Sequence, residues 1–166
     1  DTATINAGGL KIDSNSFNLA SAQVLTGTGG LEKSGPGRLT LTGASNYAGA
    51  TSVIGGGSLT LATASDATGA ITLEDYCGFG VIQSAIDDAY STSALTFGNF
   101  DATTLDFDLG AFAGNTTVAP LNVTGAGALT VNGTVTVNVA DAMPVVGSIP
   151  LVSYSGAKSG GGSFAL

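Results

Sequence analysis

Residues 29–61 read Gly29-Gly-Leu-Glu-Lys-Ser-Gly-Pro-Gly-Arg38-Leu-Thr-Leu-Thr-Gly-Ala-Ser-Asn46-Tyr-Ala-Gly-Ala-Thr51-Ser-Val-Ile-Gly-Gly-Gly-Ser-Leu59-Thr-Leu61. In an extended chain Leu39 and Leu41 point to one face, and Thr40 and Thr42 to the other. Leu59 and Leu61 repeat that arrangement roughly one coil later, with Tyr47 and Val53 between. Gly35, Gly37, Gly43 and Gly49 fall where the chain must turn, and glycine tolerates positive φ and close backbone approach. Two-residue alternation, corners and a recurrence point to strands stacked coil on coil.

The same pattern runs through the rest of the chain. Leu10–Asp13, Val24–Thr26, Ile71–Leu73, Leu105–Leu109, Leu129–Asn132 and, longest of all, Thr134–Val139 alternate with period two, as half-buried strands do. Gly27–Gly30, Gly55–Gly57 and Gly125–Gly127 read as turns. Apolar strand centres recur every 8–20 residues, which suits a β-helix, a sandwich or a barrel. The shortness of the strands, their glycine corners and their outward Thr, Ser and Asn favour the β-helix. One stretch breaks the pattern. Residues 74–92 predict a short helical or loop insertion, with Ser84 capping a helix through Ala89. No linker divides the chain, so residues 1–166 read as a single module: the motif at 29–61, the insertion at 74–92 and C-terminal coils over 93–166. The absence of a starting Met or signal peptide, and an end resembling a strand cut short, read as a mature product or as a module of a longer chain.

Composition excludes much chemistry. Of 166 residues 26 are Gly, 21 Thr and 16 Ser, with no His, no Trp and one Cys. Without His there is no imidazole base, His-based triad or His metal ligand. A single Cys forms no internal disulfide. Twelve acids against four bases give a net charge of −8, which argues against binding a phosphate backbone. No apolar run approaches the ~18 residues of a membrane span. At 43% hydrophobic residues the chain is too apolar for disorder.

The 29–61 stretch closely resembles the autotransporter-associated β-strand repeat, or passenger-associated transport repeat. Its pattern is Gly-x-Leu-x-Lys-x-Gly-x-Gly-x-Leu-x-Leu, then Asn-x-Tyr-x-Gly-x-Thr, then Val, Gly and Leu-x-Leu. Leu31, Lys33, Gly35, Gly37, Leu39, Leu41, Gly43, Asn46, Tyr47, Gly49, Thr51, Val53, Gly57, Leu59 and Leu61 fit it. The run Ala44–Tyr47 and the additional glycine in 55–57 depart from it. The resemblance implies a right-handed parallel β-helix in large secreted or surface proteins of Gram-negative bacteria. It also implies a part in export and folding, and no catalytic residues.

Other residues allow more than one reading. Eight of the twelve acids lie in 66–108, and Asp106 and Asp108, two apart on one strand, share a face with Cα atoms roughly 7 Å apart. With Asp101 they form a candidate Ca²⁺ site, hard cations taking clustered oxygen ligands; a carboxylate pair acting on polysaccharide, a cation-dependent contact between subunits and a solvated acidic face are the alternatives. No other cofactor is expected. Asn46-Tyr47 is either a ligand-stacking pair or a turn-capping Asn beside a packed Tyr. Cys77 either pairs with another chain or is a small buried hydrophobe. Lys33 either joins an isopeptide bond or sits at a corner, and its regular place in the motif favours the corner.

Two functions follow. The first is a non-enzymatic structural module, extracellular or on the cell surface: a β-helical stalk, or a fibre or adhesive unit. Open solenoid ends expose unpaired strand edges, so its partners are copies of itself stacked end to end, or neighbouring β-helical modules. The second is a β-helix that binds or cleaves polysaccharide through a clustered acidic groove lined by Tyr47, Tyr76 and Tyr90. Nucleic acid and membrane insertion are excluded as partners.

Overall fold

The computed structural model describes residues 1–112, 117–140 and 148–166; parts of the C-terminal coils expected over 93–166 lie outside these residues. The strands are β1 (Thr2–Ile5), β2 (Leu10–Asp13), β3 (Leu19–Ser21), β4 (Val24–Gly27), β5 (Leu31–Ser34), β6 (Arg38–Leu41), β7 (Thr51–Val53), β8 (Ser58–Ala62) and β9 (Ile71–Leu73). They continue with β10 (Gly78–Ile82), β11 (Tyr90–Thr92), β12 (Leu95–Phe97), β13 (Thr103–Asp108), β14 (Leu121–Val123), β15 (Leu129–Val131), β16 (Thr134–Ala140), β17 (Val152–Tyr154) and β18 (Ser163–Ala165).

Every pairing among these strands is parallel and joins one coil to the next. The chain is a three-sided parallel β-helix. The first face holds β1 and β4 at one end and β11, β14 and β17 at the other. Between them Asn46 N donates to Leu25 O and Asp66 N to Ser45 O, so the backbone ladder is carried through. The second face runs β2-β5-β7-β9-β12-β15, and the third β3-β6-β8-β10-β13-β16-β18.

The register explains the alternation. On the third face Leu19, Leu39, Leu59, Phe79, Leu105 and Val137 stack inward. A second inward row joins Leu41, Leu61, Val81, Phe107 and Val139. The second face stacks Leu10, Leu31, Thr51, Ile71, Leu95 and Leu129. Each coil therefore buries its apolar row against the coils above and below, into one continuous core. The step from Leu39 to Leu59 to Phe79 is twenty residues each time, as the motif implies. It lengthens from Phe79 to Leu105 and on to Val137, and the added residues lie between strands.

The expected insertion needs correction. Its loop is present over residues 83–89, but no helix forms there. Ser84 turns instead to the neighbouring coil: its N donates to Thr63 Oγ1 (2.8 Å) and its Oγ accepts from Ala64 N (3.3 Å). Asp88 Oδ2 accepts from Thr63 Oγ1 as well. These bonds stand in place of a helix cap. Residues 78–82 and 90–92 belong to the solenoid as β10 and β11, with Phe79, Val81 and Tyr90 in the core.

Candidate functional site

Outward side chains on the third face also stack in rows. One row reads Arg38, Ser58, Gly78, Thr104 and Thr136; the next reads Thr40, Thr60, Gly80, Asp106 and Asn138. Both rows lack a side chain at β10, where Gly78 and Gly80 lie buried beneath Thr104, Ser58 and Thr60 and only Ile82 carries an outward side chain. Beside them is a trough of about 370 Å³, bounded by Arg38, Thr40 and Thr60 on one side and by Asp106, Asp108 and Asn138 on the other, with Ile82 between. Arg38 Nη2 lies 3.4 Å from Asp106 Oδ2. β6 and β13 are three strand spacings apart, ~14 Å, so this ion pair straps the trough across β8 and β10. Asn138 Nδ2 donates to the other oxygen of Asp106 at 2.8 Å. Thr60 is 6% exposed, and its hydroxyl has no hydrogen-bond partner. A separate, more open concavity lies beside Gly37, Ser58, Gly78 and Thr104 and reaches Tyr76, which stands 67% exposed with φ +63°.

The three candidate calcium ligands do not converge. Asp106 and Asp108 share the outward side of β13, but Asp106 is taken by Arg38 and Asn138. Asp101 sits in the turn before β13, where its carboxylate beside the Tyr76 phenol holds that phenol's pKa above its ordinary value. Among the described residues no three acidic or Cys side chains gather as a metal site. Other acids pin turns. Asp75 Oδ1 accepts from the backbone N–H groups of Asn99, Phe100 and Asp101 at 2.6–3.0 Å, which lowers its pKa. Asp87 Oδ1 accepts from Thr117 N, Thr117 Oγ1 and Val118 N, with the same effect. The acids are thus spread over separate corners, and Tyr47 and Tyr90 are fully buried. The acidic groove lined by three tyrosines is not formed.

Inside the coil the motif residues do structural work. Lys33 occupies an inward row between Ile12 and Val53 and is fully buried. Its Nζ donates to Ser34 O (2.9 Å) and Gly35 O (2.7 Å), closing the corner where Gly35 and Gly37 take positive φ. Burial lowers its pKa, while Cys77 and Asp13 pull it back up. Cys77 is a buried free thiol, its own pKa raised by burial. The Tyr47 hydroxyl meets Thr51 Oγ1 at 2.7 Å, and burial raises the phenol's pKa. Tyr47 is thus a packed residue, and the buried capping role beside it falls to Ser45, whose Oγ accepts from Leu25 N; Asn46 is exposed. A family model, the passenger-associated-transport-repeat, matches residues 31–56.

The chain carries a passenger-associated transport repeat.

The matched repeat spans β5, β6 and β7, one full circuit with its Lys33 corner and its buried Tyr47. Leu59 and Leu61, beyond the match, continue the rows begun by Leu39 and Leu41. No curated protein and no solved structure matches the chain.

Proposed function

We propose that the chain is a non-enzymatic structural module, a β-helical stalk that extends by coil-on-coil stacking into longer assemblies. A passenger-associated repeat implies a secreted or cell-surface protein of a Gram-negative bacterium, and a solenoid stabilised by its own ladders suits that setting. One observation carries the reading: all three faces run as parallel ladders in which each coil hands its backbone hydrogen bonds to the next, a geometry that a further coil of the same kind can continue. Phe17 and Leu19 are exposed at one end, and Tyr154, Phe164 and Leu166 at the other. Such edges accept another coil of the same geometry, a head-to-tail contact that need not close.

Negative-stain electron microscopy and light scattering of the purified 166-residue chain over a concentration series test this. Filaments one solenoid wide support the reading, with the same yield in Ca²⁺ as in EDTA. Single particles at every concentration refute self-assembly.

A further inference from the structure

We draw no further inference here: the strongest candidate, the outward row of hydroxyls Ser52, Thr72, Thr96, Thr130 and Ser159 stacked on the second face beside a row of alanines, is a stripe of small residues with no second feature that points to a ligand, and nothing in the structure shows what covers it.

Discussion

Stacked inward rows make the energetic weight of a leucine depend on its place in the row. Leu59 has Leu39 below it and Phe79 above it and is fully buried, whereas Leu19 ends the same row and is 41% exposed. Leu59→Ala removes three carbons, about 2.4 kcal/mol at 0.8 kcal/mol per buried methylene. The cavity, walled by neighbouring coils that cannot close on it, brings the total to about 3–5 kcal/mol. Leu19→Ala removes the same atoms from a site already open to water on one side, and about 1 kcal/mol is expected. Guanidinium unfolding followed by circular dichroism measures both. Equal losses for the two variants, or a loss below about 1 kcal/mol for Leu59→Ala, would refute the coil register on which the argument rests.

Three further perturbations probe the corners. A Cβ on Gly49 overlaps the backbone of Gly29 and Gly30 in the next coil, whereas Gly8 faces open space; Gly49→Ala is expected to lower stability by about 1–3 kcal/mol or more, and Gly8→Ala to leave the melting temperature nearly unchanged. The Asp75 carboxylate is held at a lowered pKa by three backbone N–H groups, so its contribution is present above the ordinary carboxylate pKa and is lost as pH falls through the lowered one. Melting curves between about pH 5 and pH 2 should therefore show a shallower acid loss in Asp75→Ala than in the parent. Lys33 has its pKa lowered by burial; below that value the folded state carries the penalty of a buried charge, and stability rises with pH between it and the unfolded lysine value near 10.4. Lys33→Met is expected to flatten that alkaline rise in urea midpoints measured at a series of pH values.

The solenoid was legible wherever polar and apolar residues alternate between glycine corners. Leu39–Leu41, Ser58–Leu61 and Thr134–Val139 each became a strand of the third face. β10 was not legible for a physical reason. Gly-Phe-Gly-Val-Ile has no outward polar residue, so its period-two signal is erased, and the Ile82, Ile86, Ala89 spacing that follows imitates a helix. The buried lysine was legible as a corner residue only through the repeat, since nothing in composition places a charge in an apolar row. The trough was not legible at all. Arg38 and Asp106 stand 68 residues apart and meet across the two coils between them, in a register that no local pattern reveals.

Coil length separates what the repeat secures from what the rest of the chain adds. From Leu39 to Phe79 each circuit takes twenty residues, leaving little room for anything but strands and corners. Later circuits are longer while their strands stay in register, so additional residues can lie only between strands. There Asp75 gathers residues 99–101, and Asp87 gathers 117 and 118. Each carboxylate lies one coil away from the turn it pins, and so ties variable turns to an invariant ladder. Loop growth and ladder continuity are thereby decoupled. The same decoupling shows at β10, where Gly78 and Gly80 leave the outward rows without side chains while Phe79 and Val81 on the opposite side of the strand keep the core intact. Outward rows built this way can change without altering the stacking of the coils.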